Sequence, residues 1–357
     1  MITQKYPVLQ QQIPFDEAVF PDDALFFDIE TTGLSHRSSH LYMIGAICKI
    51  QGELTFIQWF LQKPSEEKEV LALFSELVKK YRTLIHFNGQ SFDIPYLQDR
   101  CKFWDLDDPF SFDESMKSLD LYLELRKYRK ALQMTSMKQK DWEKFLHFLR
   151  NDRMSGKELI QVYHTYLQTG GDRELQLLLL HNHDDLYGML PVYDFYNWLL
   201  VSVRTVSISD WKVEGDDLII QSKTERACPR SLSIANDEAE LITTGNQITL
   251  TVRGRRGTFR HYYSNYKDYF YLPMEDTAIH KSVGIYVDPS CREKAKADTC
   301  YTKKEGLFFY QPSTVFLPDF RQDGRKGPSY FSHEQIGKDP EALICYTREM
   351  LTCLLKS

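Results

Sequence analysis

This 357-residue chain lacks any apolar run long enough to cross a bilayer. Its longest uncharged apolar stretches, Leu175–Leu180 and Tyr196–Val203, fall far short of the roughly 20 residues a membrane helix needs. The start, MITQKYPVLQQQIPF, lacks a basic segment leading into an apolar one, so no signal peptide is expected. The seven cysteines are odd in number and none has CxxC spacing, which argues against a disulfide framework or a zinc site. Free thiols in a reducing cytoplasm are the simpler expectation. There is no low-complexity tract and no internal repeat. Nor is there a basic excess: the formal net charge is -6. Residues 1–203 carry 22 Lys+Arg against 29 Asp+Glu, and residues 204–357 carry 22 against 21. Any contact with nucleic acid must therefore be local.

What is present suits two domains of an ordinary globular protein, since the length exceeds a typical single core. Residues 1–203 read as an α/β domain. Ala24–Ile29 is a short apolar run suited to a buried strand. Leu41–Ile50 and Leu54–Leu61 flank a hairpin turn at Gln51-Gly52-Glu53. A helix with candidate N-cap Ser65 carries Val70, Leu73, Phe74, Leu77 and Val78 at helical spacing. Thr83–Phe87 reads as a strand, with a helix beginning near Ser91 or Phe92. Residues 105–200 look mostly helical, including LDLYLELRKYRKAL, and Pro191 predicts a kink or break. A mixed sheet with helical cover follows. Residues 204–357 turn to short alternating segments separated by turn signals, hence a β-rich second domain, with helices expected over 279–287 and after a candidate N-cap at Asp339.

Four acids stand out because each lies in or beside an apolar stretch, where a carboxylate is costly to bury unless paired or metal-bound. Asp28 and Glu30 sit in FFDIETTGL. Two residues apart on a strand, they face the same side. Asp93, in NGQSFD, falls at a helix start just after a strand, at the sheet end where Asp28 emerges; its structural alternative is a helix cap. Asp185 follows His181 by four residues, which puts both on one helical face. The plain alternative for each cluster is a solvated patch or a cap. Together they suit hard divalent cations, which take oxygen ligands, and so chemistry on phosphate. Thr31, at the small polar exit of the first strand, and Asn88, at the turn before Asp93, are candidate substrate contacts.

DIETTGL, NGQSFD and HNHDD resemble, in order, the three motifs of the DEDD superfamily of ribonuclease H-like 3′→5′ exonucleases, and the YprB-like group within it. The resemblance covers about residues 20–200. It implies a ribonuclease H-like fold with helices on both faces of a mixed sheet. It also implies two Mg²⁺ or Mn²⁺ ions held by Asp28, Glu30, Asp93 and Asp185, and His181 positioning or deprotonating the attacking water. Family spacing favours Asp185 over Asp184. His181 departs from the pattern: a catalytic His stands five residues before the last Asp, whereas an interval of four belongs to the branch that uses Tyr. The implied substrate is single-stranded DNA or RNA, with no membrane partner.

In the second half, Arg253, Arg255, Arg256 and Arg260 straddle RGRRG, read as a tight turn, and a Tyr-rich stretch including Tyr263 follows. Basic residues among aromatics suit single-stranded nucleic acid; a solvated hairpin tip beside a Tyr-rich core strand is the alternative. Two other functions compete with the exonuclease. One is a nucleic-acid or protein binding module on a weakly active nuclease scaffold. The other is a phosphoesterase for small nucleotides.

Overall fold

The computed structural model describes residues 1–8, 15–110 and 116–356. The chain divides into two compact units, Met1–Arg129 with Gln133–Leu199, and Lys130–Leu132 with Leu200–Ser357.

The first unit is built on a six-stranded mixed sheet. Strands β1 (Ile2–Pro7), β2 (Ala24–Thr31), β3 (Leu41–Ile50), β4 (Glu53–Phe60), β5 (Thr83–His86) and β6 (Lys117–Asp120) lie in the order β1-β4-β3-β2-β5-β6. β1 to β4 pair antiparallel, and β5 and β6 run parallel to β2. Gln51 and Gly52 turn the β3–β4 hairpin with φ of 53° and 85°, as a two-residue hairpin turn requires. Helices α1 (Glu67–Val78) and α2 (Asp93–Phe103) cover one face. α3 (Leu121–Leu125), α4 (Gln139–Phe145), α5 (Gly156–Thr169) and α6 (Asp172–Thr205) follow.

The two-residue period of β2 sorts its side chains between the faces. Leu25, Phe27 and Ile29 pack with Val70, Phe74, Ile94 and Leu97 in a core with α1 and α2. On the other face Tyr42, Met43 and Phe60 pack with Tyr163, Leu178 and Leu179 of α5 and α6. There Phe26 meets Tyr193 of α6 edge-on, 5.5 Å between centroids. Asp28 and Glu30 share this second face. Gly45 lies opposite Asp28 in the β2–β3 register. A Cβ on Gly45 would stand 2.1 Å from Asn182 Oδ1 and 2.4 Å from Leu186 Cδ1. Its missing side chain is what lets α6 lie this close to the sheet.

Several elements differ from the sequence reading. β1 and β6 are strands where none was expected. LDLYLELRKYRKAL is not one helix, because Asp120 ends β6 and caps the five-residue α3, accepting the amides of Tyr122 and Leu123 at 3.0 and 3.4 Å. α6 runs through Pro191 without the expected break. Leu186, Leu190, Val192 and Phe195 beside it are fully buried, and that packing offsets the roughly 3 kcal/mol of an internal proline. Ser65 caps nothing; Glu66 instead accepts the Gln62 amide at 2.9 Å.

The second unit is β-rich. β7 (Ser207–Glu214), β8 (Asp217–Lys223), β9 (Ser233–Ala235), β10 (Ala239–Thr244) and β11 (Gln247–Val252) form a five-stranded sheet in the order β7-β8-β11-β10-β9. Two three-stranded sheets follow, built from β12 (Gly254–Tyr262), β13 (Tyr269–Leu272), β14 (Thr277–His280), β15 (Glu293–Lys294), β16 (Tyr301–Gln311) and β17 (Ser329–Ser332). RGRRG is not a turn but the start of β12, held extended by its pairing with β16. The helix expected over 279–287 shrinks to α7 (Lys281–Gly284), since β14 occupies the residues before it. α8 (Pro340–Lys356) closes the unit, and Asp339 caps it by accepting the amides of Glu341 and Ala342 at 2.9 and 3.1 Å. Among the described residues, no helix is long and apolar enough to cross a membrane.

Gly45→Ala tests the close approach of α6. Overpacking of this kind costs about 1–3 kcal/mol, so the melting temperature should fall by several degrees, measured by circular dichroism against wild type.

Candidate metal centre

Asp28 and Glu30 project from β2 toward α6. Because β2 and β5 are parallel, the turn after β5 brings Asp93, first residue of α2, to the same end of the sheet. Asp93 is buried. α6 supplies Asp185, His181 and Asn182. Asn182 Nδ2 donates to Asp28 Oδ2 at 2.9 Å, and its Oδ1 accepts from Gln58 Nε2 at 2.9 Å. The Tyr42 hydroxyl donates to Glu30 Oε2 at 3.3 Å. His181 Nε2 lies 3.2 Å from Asp185 Oδ2 and 3.7 Å from Glu30 Oε1. One ligand atom each from Glu30, His181 and Asp185 all fall within 4.8 Å of one another.

Charge is concentrated here at a real cost. Burial pushes the Asp28 carboxyl well up, and the charges of Asp185, Glu30 and Asp93 push it further. Burial raises Glu30 to about 7, the His181 imidazole working against it. Burial likewise raises Asp93 to about 7, although its own amide and that of Ile29 pull it back. Carboxylates that resist ionisation because they are buried, and because they crowd one another, suit a divalent cation, whose charge offsets both costs. The carboxylate oxygens form a donor set that suits a hard divalent cation.

Asp184 and Asp185 diverge, as adjacent helical residues must. Buried Asp184 accepts the amides of Asn151 and Asp152 at 2.7 and 2.8 Å, and His183 Nδ1 lies 3.1 Å from its other oxygen. It ties down the segment after α4, while Asp185 faces the acidic cluster. That segment carries two residues the sequence reading missed. Arg150 Nη2 meets Asp185 Oδ1 at 2.7 Å, and Nη1 meets both oxygens of Glu143 at 3.0 Å. Asp152 Oδ2 lies 2.7 Å from His181 Nδ1. No local motif signals either, because an irregular segment presents them.

A cleft of about 650 Å³ opens beside the cluster, lined by Asp28, Asp185, Asn88, Phe87, Tyr122 and residues 129 and 135–139. Asn88 adopts a left-handed φ of 62°. Its turn is held by Asp120, which accepts the amides of Asn88 and Gln90 at 2.9 and 3.2 Å. Burial drops His86 to about 4. Its neutral ring accepts the Gly89 amide at Nδ1, 3.1 Å, and meets Ser118 Oγ at Nε2, 2.8 Å. Thr31 bonds the Gly33 carbonyl at 2.9 Å and does not line the cleft.

In the second unit each of the four arginines has a polar or charged partner. Arg253 donates to the Asn236 carbonyl, Arg255 pairs with Glu238, and Arg256 pairs with Asp216 at 2.7 Å. Arg260 lies 3.9 Å from Asp276 and 4.9 Å over the Tyr301 ring. Tyr263 stacks on Tyr269 at 4.6 Å.

Residues 25–197 match the family model RNase_H_2, described as RNase_H superfamily. The first unit has a ribonuclease H-like fold. Among solved structures the chain is similar to the family B DNA polymerase from the hyperthermophilic archaeon Pyrobaculum calidifontis, at 11% identity and a TM-score of 0.42, covering 94% of this chain and 46% of that one. It is also similar to E. coli exonuclease I in complex with a dT13 oligonucleotide, at 11% identity and a TM-score of 0.34, covering 61% and 54%. The chain thus spans about half the length of these structures. No curated protein matches it.

The raised carboxyls make a signed prediction. Without a cation, folding holds Glu30 and Asp93 near 7 against ordinary values of 4.5 and 3.8. The folded state then keeps protons that the unfolded chain releases. Charging these groups therefore costs stability as pH rises from about 4 to about 7, and the cost is full above 7. A divalent cation removes it where the groups are ionised. The melting temperature in Mn²⁺ minus that in EDTA should be several degrees at pH 8 and close to zero at pH 5, read by thermal denaturation. At 100 times its dissociation constant a bound ion contributes about 2.7 kcal/mol.

Proposed function

We propose that this chain is a metal-dependent 3′→5′ exonuclease that hydrolyses phosphodiesters of single-stranded DNA or RNA, of the YprB-like group. The carrying observation is the convergence of Asp28, Glu30, Asp93 and Asp185 in a poorly hydrated place. Their mutual repulsion finds only partial relief from Arg150 and His181. These four acids would hold two Mg²⁺ or Mn²⁺ ions. When bound, such ions activate water and stabilise charge on the phosphate.

The chain's own residues do the rest. Asn182 orients Asp28 through one hydrogen bond, and Tyr42 orients Glu30. Arg150 holds one oxygen of Asp185 and leaves the other toward the cluster. Phe87 and Tyr122, edge to face at 6.0 Å, offer ring surface in the cleft for a base. Exposed Lys138 and Arg129 offer charge to the backbone phosphates. The direction of degradation rests on the resemblance of the three motifs. In the second domain, taken as residues 204–357, Arg253, Arg255, Arg256, Arg260 and Tyr263 are the proposed strand contacts. Arg256, with 68% of its side chain exposed, is the most available. The odd number of cysteines, none at CxxC spacing, supports a cytoplasmic setting.

The test uses 5′-labelled single-stranded DNA and RNA with Mg²⁺ or Mn²⁺. Wild type should give a ladder of shortening labelled strands. Asp28→Asn and Asp185→Asn should lose about 100-fold or more in rate. Internal cuts without a ladder would overturn the direction, and hydrolysis confined to dinucleotides or mononucleotide esters would favour a phosphoesterase. Full activity in Asp28→Asn would overturn the assignment.

A further inference from the structure

His181 stands differently from a residue that acts on water from outside the metal shell. Its ring is buried, and Nδ1 is bound at 2.7 Å by Asp152 Oδ2. Asp152 is itself fixed. Its Oδ1 accepts the Met154 amide at 2.9 Å, and its Oδ2 lies 3.3 Å from Lys140 Nζ and 3.6 Å from Arg150 Nη2. A fixed carboxylate on Nδ1 makes that nitrogen the donor and leaves Nε2 to offer its lone pair.

Nε2 points between two carboxylates, 3.2 Å from Asp185 Oδ2 and 3.7 Å from Glu30 Oε1. At 3.2 Å there is no room for a water between nitrogen and oxygen. Adjacent ligands of an octahedral cation with bonds of about 2.1 Å stand about 3 Å apart, close to the His181–Asp185 separation, with Glu30 somewhat further out. Arg150 occupies Asp185 Oδ1, so Oδ2 is the oxygen left on the His181 side.

We propose that His181 Nε2 is a direct nitrogen ligand of one cation, beside Glu30 and Asp185, and that Asp152 is the positioning residue that aims it. This rests on the metal-dependent reading above and changes the role that the motif resemblance implies for His181. An imidazole in the shell favours Mn²⁺ over Mg²⁺, because Mg²⁺ takes oxygen ligands and nitrogen donors suit later metals. It also accounts for the four-residue interval: i and i+4 on one helix face put imidazole and carboxylate on the same ion.

The experiment loads the full chain with Mn²⁺ and reads the bound ion by pulsed electron spin-echo modulation, with affinity from Mn²⁺ and Mg²⁺ titration. Wild type should show modulation from a directly bound ¹⁴N. His181→Ala should lose that signal while still binding Mn²⁺ more weakly through the acids. Asp152→Asn should weaken Mn²⁺ binding about 10–100-fold and Mg²⁺ binding less, with an unchanged circular dichroism spectrum. Bound Mn²⁺ with no nitrogen signal in wild type, or a signal that survives in His181→Ala, overturns the inference; if the nuclease ladder persists, the exonuclease reading stands. Equal loss of Mn²⁺ and Mg²⁺ with an altered spectrum in Asp152→Asn overturns the positioning role. Failure of wild type to bind Mn²⁺ at all overturns the inference and the metal-dependent reading together.

Discussion

Repulsion among carboxylates held together in a poorly hydrated pocket is the constraint around which the first unit is organised. Asp28 and Glu30 come from one strand, β2, and Asp93 and Asp185 from two helices; Glu30, Asp93 and Asp185 all raise the cost of charging Asp28, and Asp185 and Asp93 that of charging Glu30. A chain released from this arrangement would let them separate into water. The fold prevents that with short-range ties of ordinary strength: Asn182 on Asp28, Tyr42 on Glu30, Arg150 on Asp185. Each is a hydrogen bond worth about 0.5–1.5 kcal/mol net, and about 1.5–3 where its acid is ionised. They orient the acids as much as they offset the repulsion.

Behind these ties lies another layer that touches no acid of the cluster. Asp184 holds the Asn151–Asp152 backbone, and Asp120 holds the Asn88–Gln90 turn. Both carboxylates accept backbone amides, which helps to satisfy a buried charge locally. Gly45 performs a related task by absence, since any side chain there would push Asn182 off Asp28. The adjacent acids of HNHDD thus divide the work: one faces the cluster and one anchors the segment that supplies Arg150 and Asp152.

The second unit follows a different logic. Its arginine cluster looked like an open basic patch, yet Asp216, Glu238 and Asp276 come from other parts of the unit to meet three of the four. Asp276 is held down to about 2 by hydrogen bonds from Tyr271 and Tyr301, with Lys303 adding to the effect. Much of the local positive charge is therefore balanced where it stands. Strand contact by this unit would have to draw on the arginines' exposed edges rather than on a bare patch.

Whatever depends on period and short spacing was legible in the residues alone. Asp28 and Glu30 share a face because strand side chains alternate. His181 and Asp185 share a face because helix residues four apart do. The strands and hairpin of residues 24–60 and the cap at Asp339 were legible for the same local reasons. Tertiary structure alone decided the rest. β1 and β6 are strands because β4 and β5 offer them hydrogen-bonding edges. Pro191 sits inside an unbroken helix because the surrounding core holds it there, and RGRRG is extended because β16 lies beside it. Asp152 and Arg150 reach the site from 29 and 35 residues before their partners His181 and Asp185. Nothing in a local window encodes such contacts, since they exist only once a distant segment has been packed against the helix that carries the motif.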